Sequence, residues 1–366
     1  MVIVGTRPEI IKMAPIIRAL ERRDLPYTLV HCGQHYDYYM SEKFIHELNL
    51  PSPECSYKVK VYSPGIQTGR IICFLERTIK RNKPKIVLIE GDTNSVLASA
   101  IASIKQNVPV GHVEAGLRSF DLRMPEEHNR RLVDHLSTYL FAPTENASEN
   151  LKSENVWGKI YITGNTVIDA VLQHLSLAEE KSTIMDRIHY DSFILATAHR
   201  AENVDNPAVL RNLVEAYLEA PLPIVYPVHP RAKKRLIQNG LWRRLKKSRN
   251  VQLLPPAGYF DFLMLMKNCR FIVTDSGGIQ EEATAPPIRK QVIVTRMSTE
   301  RPEAVKAGFA NVVGTKRENI ISAMKEALEN DKNLPYNSPF GDGKAAEKIV
   351  NTLRKELSLL LFQESF

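Results

Sequence analysis

Short runs of β-branched and apolar residues recur along this chain without alternating polar partners, each followed by a longer stretch with apolar residues three and four apart. A strand that is apolar on both faces must be covered on both. The sheet that accepts it is therefore parallel and sheathed in helices. In the first half, strands are expected at 2–4, 28–31, 86–89, 108–113, 139–141 and 160–162, with helical spacing at 8–23, 67–80, 95–105 and 126–136. The rhythm restarts at 193–197. Strands follow at 224–228, 251–254, 271–274, 292–295 and 311–313, with helices at 207–218, 261–267, 279–283 and 318–329.

A chain of 366 residues is long enough for two domains of roughly 150 to 200 residues, each with its own core. The expected class is α/β, with two Rossmann-like, doubly wound domains. The charged stretch Glu179, Glu180, Lys181 precedes the second run, and the expected division is 1–168 and 169–349, with a last helix beginning near Lys344. Ligands of such sheets bind beyond the carboxyl ends of the strands, where strand order reverses. Two such domains set face to face would enclose a central cleft.

Composition narrows the partners. With 43% hydrophobic and 25% charged residues the chain reads as an ordinary globular protein. The 49 basic and 41 acidic residues give +8, which suits an anionic ligand but does not separate a nucleotide from RNA or a membrane surface. The basic runs at 80–85 and 243–249 lack interleaved aromatics, so they are read as solvated faces and no nucleic-acid partner is expected. Cys32, Cys55, Cys73 and Cys269 show no metal-type or disulfide spacing. No apolar run approaches the roughly 18 residues a bilayer span needs, and the opening MVIVG lacks a signal-peptide pattern. A cytoplasmic enzyme without a membrane partner is the expectation.

The polar clusters fall at the predicted strand ends. GTRPEIIK (5–12) offers a glycine turn, a proline at the helix start, and the cations Arg7 and Lys12 for an anion. GDTNS (91–95) places Asp92 where it can cap a helix or exchange a proton. HVEAGLRSFDLRMPEEHN (112–129) puts Glu114 just past its strand and carries Asp121, Glu126 and Glu127 through the following loop. Adjacent parallel strands would bring Asp92 near Glu114, and a close carboxylate pair drives one pKa upward. TAHRAEN (197–203) projects His199 and Arg200 from the first strand of the second half, and His229 stands at another strand end. TDSGGIQEEA (274–283) strips side chains from a strand-to-helix turn. Ser276, Gly277 and Gly278 there read as a diphosphate cradle, with Glu282 one helical turn on for ribose hydroxyls. Arg301 follows a later strand, and Phe262 and Tyr259 offer planar surfaces for a base.

Taken in order, GTRPEIIKMAP, GQH, GDTNS, HVEAGLRS, MPEEHNRR, GNTVIDA, HRAEN, SGGIQEE and TERPEAVKAG resemble the non-hydrolysing UDP-N-acetylglucosamine 2-epimerase family over nearly the whole chain. The resemblance implies GT-B architecture, with the C-terminal helix (about 350–366) crossing back to the first domain. It implies inversion at C2 of UDP-N-acetylglucosamine to give UDP-N-acetylmannosamine, through anti elimination of UDP to 2-acetamidoglucal and re-addition. No NAD and no metal would be needed. Carried over by motif, Asp92, Glu114 and Glu126 become proton-transfer residues and His199 meets the leaving diphosphate. Arg7, Lys12, Ser276, Gly277 and Gly278 would hold phosphates, Glu282 ribose, and Arg301 and Phe262 the rest of the nucleotide. A homodimer is implied, and Gln34 and His229 fit a second, activating UDP-N-acetylglucosamine site. The readings set against this are a GT-B glycosyltransferase, a hydrolysing 2-epimerase and a basic RNA-binding protein.

Overall fold

The computed structural model describes residues 1–33, 44–58, 63–329 and 333–363, with side chains to 358. The chain divides into two units, Met1–Ala170 with Phe340–Phe366, and Val171–Pro339. In the first unit the strands are β1 (Val2–Val4), β2 (Leu29–His31), β3 (Cys55–Ser56), β4 (Val87–Glu90), β5 (Val110–Val113), β6 (Tyr139–Ala142) and β7 (Lys159–Ile162). They pair in the order β3-β2-β1-β4-β5-β6-β7, every pair parallel. In the second unit, β8 (Ile194–Ala196), β9 (Ile224–Pro227), β10 (Val251–Leu254), β11 (Ile272–Thr274), β12 (Val292–Val294) and β13 (Ala310–Val312) pair as β10-β9-β8-β11-β12-β13, again all parallel.

The α/β expectation holds, and each expected strand is present with ends shifted by at most two residues. β3 was missed because two residues show no period. The helices Glu145–Ser153, Pro230–Gln238 and Trp242–Lys247 were also missed. Their sequences, ENASENLKS and PRAKKRLIQ among them, are so polar that only a narrow apolar stripe is buried. The basic run at 243–249 falls mostly on the helix Trp242–Lys247, and Arg244 pairs with Glu215 at 2.5 Å on the surface.

Packing around the first sheet relies on small residues. The helix Asn94–Lys105 (NSVLASAIASIK) buries Ser95, Ala98, Ser99, Ala100, Ala102 and Ser103. Its buried hydroxyls are satisfied locally, Ser99 donating to the Ser95 carbonyl at 2.6 Å and Ser103 to that of Ser99 at 2.7 Å. Thr93 caps it by accepting from the Val96 N–H.

The helix Thr166–Lys181 begins in the first unit and ends in the second, and the chain re-enters the first unit at Phe340. There Gly164 (φ +89°) and Gly341 (φ +119°) come so close that a Cβ on Gly341 would lie 3.1 Å from Gly164 Cα. The Asn165 N–H donates to the Phe340 carbonyl at 2.7 Å. Asp169 then caps the final helix, Ala345–Gln363, by accepting from the N–H groups of Ala345 and Ala346. Burial pushes its carboxyl up to about 6 against those two bonds. The same helix packs on Arg7–Glu21, where Arg22 and Arg23 pair with Glu347. No helix among the described residues is long and apolar enough to cross a membrane.

Gly116, two residues after Glu114, sits at φ +84°, and a Cβ there would lie 2.2 Å from the Ala147 carbonyl oxygen. Gly69 lies exposed inside the helix Pro64–Asn82 with nothing within 4 Å of a Cβ. Gly116→Ala is therefore expected to destabilise the protein by about 2 kcal/mol or more, through strain and a backbone clash. Gly69→Ala should stabilise it by about 0.5–1 kcal/mol. Urea titration of both variants checks the pair, and equal effects would overturn this account of Gly116.

Candidate active site

In the first sheet the strand order reverses between β1 and β4, so the loops leaving these strands flank a crevice. Gly5 and Thr6 turn the chain out of β1, and Glu9, buried on the first turn of the next helix, staples that turn. Its carboxylate accepts from the Gly5 N–H (2.6 Å), Thr6 Oγ1 (2.9 Å) and Thr93 Oγ1 (2.9 Å), joining the loops after β1 and β4. Burial nevertheless pushes the Glu9 carboxyl up to about 7, and the charge of Asp92 adds to the rise.

One turn on, Lys12 is itself buried and lies between two carboxylates. Its Nζ donates to Glu114 Oε2 and stands 3.0 Å from Glu90 Oε1. Glu90 ends β4 at 2% exposure. Burial drives its carboxyl well above the ordinary range, Lys12 pulls it back, and Glu114 and Glu9 push it further up. Glu114 Oε2 also accepts from Asn165 Nδ2 at 2.8 Å. The backbone of Glu114 is left-handed, at φ +68°, a conformation costing roughly 1–3 kcal/mol in a residue with a side chain. Such strain persists only where its surroundings over-determine it.

Those surroundings are on the helix Pro125–Leu136. Asp134, fully buried, accepts from His112 Nδ1 (2.7 Å), from the Gly116 N–H (3.2 Å) and from Arg118 Nη1 (2.8 Å). His112 Nε2 in turn contacts the Gly91 carbonyl at 2.9 Å. Burial would raise the Asp134 carboxyl, but the bonds and charges of His112 and Arg118 outweigh it and hold the group below its usual range. The residues on both sides of Glu114 are thus tied to one carboxylate.

Asp92 pairs with Arg130 Nη2 at 2.5 Å, and Asn129 Nδ2 donates to its backbone carbonyl. Lys12 thus joins Glu114 to Glu90, and Asp92 pairs with Arg130, a guanidinium it shares with Glu127. Glu127 is structural: Ser119 N–H and Oγ each donate to it at 2.9 Å, and Arg130 and Arg131 pair with it. Glu126 is exposed at the start of the same helix, and Asp121 pairs with Arg123. Arg7 lies over the Phe44 ring, 4.2 Å from its centre.

The second sheet repeats the reversal between β8 and β11. Here the organiser is Asp275, fully buried just past β11. It accepts from the N–H groups of His199 (3.0 Å) and Arg200 (3.0 Å), from Asn203 Nδ2 (3.1 Å), and its Oδ1 is 3.1 Å from His199 Nδ1. Burial raises the Asp275 carboxyl, but His199 and these backbone donors hold it below its usual range. Arg200 donates to the Asp275 carbonyl and to Glu300, and Glu300 also binds Arg296 at 2.7 Å. Arg301 is buried and pairs with Glu281 at 2.6 Å.

Ser276, Gly277 and Gly278 open the helix Gly277–Glu282. A Cβ on Gly277 would strike Glu300 at 2.6 Å, whereas one on Gly278 would meet nothing within 4 Å, so the backbone there is open to a ligand. Glu282 is buried on that helix and Phe262 half-buried on Tyr259–Asn268. His229 caps the helix Pro230–Gln238 by accepting from the Arg231 N–H, and its ring lies 5.8 Å from that of His199. Gln34 lies outside the described residues. Among the described residues, no group of three or more His, Cys, Asp or Glu stands where it could hold a metal ion.

Residues 18–354 match the family model described as UDP-N-acetylglucosamine 2-epimerase. The chain belongs to the UDP-N-acetylglucosamine 2-epimerase family. It is 44% identical over 361 residues to the UDP-N-acetylglucosamine 2-epimerase of Methanocaldococcus jannaschii, covering 96% of this chain and 98% of that one. The crystal structure of that enzyme with UDP-GlcNAc and UDP superposes with a TM-score of 0.90, covering 97% of this chain and 99% of that chain. A Pseudomonas aeruginosa relative, a UDP-2,3-diacetamido-2,3-dideoxy-D-glucuronate 2-epimerase, is 38% identical over 366 residues, covering 97% and 99% of the two chains.

Within this 2-epimerase, Glu9, Glu90, Asn165, Asp275 and Glu300 organise the two sites and were not singled out from sequence. A lone acid closing the apolar run KIVLIE could have pointed to Glu90, and the acid preceding SGG to Asp275. Lys12, expected to hold phosphate, Arg200, expected beside the ligand, and Arg301, expected at the nucleotide, are all engaged by carboxylates of this chain.

Because the folded protein favours protonated Glu9, its contribution to stability is complete below the unfolded value of 4.5 and is lost as pH rises through about 7. The span corresponds to about 3 kcal/mol. The variant Glu9→Gln, which stays neutral, should match the wild type at pH 5 and gain stability relative to it by pH 8. Chemical denaturation at both pH values checks this, and a difference independent of pH would overturn it.

Proposed function

We propose that this enzyme interconverts UDP-N-acetylglucosamine and UDP-N-acetylmannosamine without hydrolysing either, by anti elimination of UDP and re-addition. The observation that carries the reading is the buried Lys12–Glu90–Glu114 cluster beside Asp92 at the reversal of the first sheet. A weakly acidic C2–H needs a base held in place and shielded from water, with a proton donor for the opposite face. As the C2 proton leaves, the C1–O bond breaks and UDP departs with its electron pair, giving 2-acetamidoglucal. UDP then returns to C1 while a proton is delivered to the other face of C2. Nothing is oxidised or reduced, so the reaction calls for no NAD, and in this reading the cationic side chains and backbone amides of the chain, rather than a metal ion, take the charge of the departing diphosphate.

The roles divide between the units. Asp92, Glu114 and Glu126 are the proton-transfer candidates of the first, with Lys12 orienting Glu114 and Arg7 reserved for phosphate. In the second, His199 and Arg200 meet the diphosphate, the backbone of Ser276, Gly277 and Gly278 cradles it, and Glu282, Phe262 and Arg301 serve the nucleoside. The reading extends to a cytoplasmic homodimer supplying mannosamine-type sugars for cell-surface polysaccharide, an extension that rests on family likeness alone. The P. aeruginosa relative supports the same C2 chemistry on a diacetamido uronate as a second substrate.

Incubation with UDP-N-acetylglucosamine in D2O, without NAD, should give UDP-N-acetylmannosamine carrying deuterium at C2. Protium retained at C2 in the product would sink the elimination, and free N-acetylmannosamine would mark a hydrolysing enzyme. A parallel incubation with the diacetamido uronate tests the second substrate. Asp92→Asn, Glu114→Gln and Glu126→Gln should each lower kcat by about 10²–10⁴-fold. Near-normal turnover in all three would remove the assignment.

A further inference from the structure

Asn165 is the residue through which the two chain crossings meet Glu114. Its Nδ2 donates to Glu114 Oε2 at 2.8 Å, on the same oxygen that Lys12 binds. Its Oδ1 accepts from the Val167 N–H at 3.0 Å, capping the helix Thr166–Lys181 that carries the chain out of the first unit. Its own N–H donates to the Phe340 carbonyl at 2.7 Å, where the chain comes back. The residue is 2% exposed, so each of these bonds is made away from water. A buried amide used on both its donor and acceptor sides cannot turn without breaking one of them.

Resting on the epimerase reading above, we propose that Asn165 is a positioning residue for proton transfer at C2, fixing the Glu114 carboxylate and coupling its orientation to the two places where the chain passes between units. The glycines beside it serve the same end. Gly164 and Gly341 bring the returning chain within reach of the Asn165 N–H, and a Cβ on Gly341 would lie 3.1 Å from Gly164 Cα and 3.8 Å from the Asn165 nitrogen, forcing the two segments apart. The carboxylate so fixed is also faced by Lys12 from the helix Arg7–Glu21 and, across Lys12, by Glu90 from β4, with Glu9 beyond. Its ionisation therefore answers to all of these as well as to Asn165.

Three full-length variants separate positioning from folding. Asn165→Ser keeps an oxygen able to cap the Val167 N–H but cannot reach Glu114. It should fold, bind UDP as the wild type does and keep KM within about threefold, while kcat and C2 deuterium uptake fall together by about 10–100-fold, the scale of a misplaced catalytic group. Asn165→Asp sets a second carboxylate against Glu114 and should move the acidic limb of the kcat profile up by about one pH unit or more. Gly341→Ala leaves Glu114 and its partners chemically intact yet should lower kcat in the same direction as Asn165→Ser. A Ser variant with kcat within threefold of wild type, or an Asp variant with an unshifted profile, overturns the role of Asn165, and an unaffected Gly341→Ala overturns the coupling. Should Asn165→Ser fail to fold, the Asp profile and Gly341→Ala decide alone. If the wild-type enzyme itself takes up no deuterium at C2, the epimerase reading falls and this inference with it. Deuterium uptake in the wild type with equal uptake in the Ser variant removes only the inference.

Discussion

Three ionisable groups, Lys12, Glu90 and Glu114, meet out of water at the end of the first sheet, and the rest of that unit is arranged so that they can. Taking a carboxylate or an ammonium from water into a protein interior costs several kcal/mol per ion unless partners replace the solvent. Lys12 supplies that replacement for Glu114 and Glu90 together, and it can do so only if the helix Arg7–Glu21, β4 and β5 are all in register. Removing the lysine would leave two carboxyl groups buried side by side with no cation between them. This explains why Glu9 staples the turn out of β1, and why Asp134 grips the residues around Glu114. Each of these bonds restricts where one of the three groups can go.

The six strands of the second unit repeat the order of the first six strands of the first, with the charges inverted. At the first reversal, cations organise carboxylates: Lys12 holds Glu90 and Glu114, and Arg130 holds Asp92. At the second, carboxylates organise basic side chains, Asp275 positioning His199 and Arg200, with Glu300 and Glu281 holding Arg296 and Arg301. A sheet reversal only provides a crevice beyond the strand ends. Which chemistry it suits depends on which sign of charge is built into the frame. The first frame presents carboxylates, suited to moving protons, and the second presents an imidazole and bare amides, suited to an anion.

The sheets were legible in the sequence because an apolar strand without alternation has few ways to be buried, and the rhythm of such strands reached from Val2 to Val313. The strand-end positions of Asp92, Glu114, His199 and the Ser276–Gly278 turn were legible for a related reason: polar residues stand out directly after apolar runs. Glu90 was hidden inside the strand it ends, and Glu9 and Asn165 read as ordinary polar residues near helix starts. Their importance lies in contacts across 84 and 51 residues of sequence, with Thr93 and Glu114, which no local pattern carries. Arg301 and Lys12 show the converse. Both look like free cations in sequence, and both are bound to carboxylates once the fold closes around them.

The strain at Glu114 fits this division between what is local and what is not. A left-handed glutamate is disfavoured by its own backbone, so nothing near it in sequence asks for it. It is imposed from four directions: β5 pairing up to Val113, Asp134 holding Gly116, Lys12 from the first helix, and Asn165 from the far end of the unit. A glycine at 114 would relieve the strain and remove the carboxylate. The chain instead keeps the acid where the backbone resists it, which is the arrangement expected when the direction of that carboxylate matters more than the stability it costs.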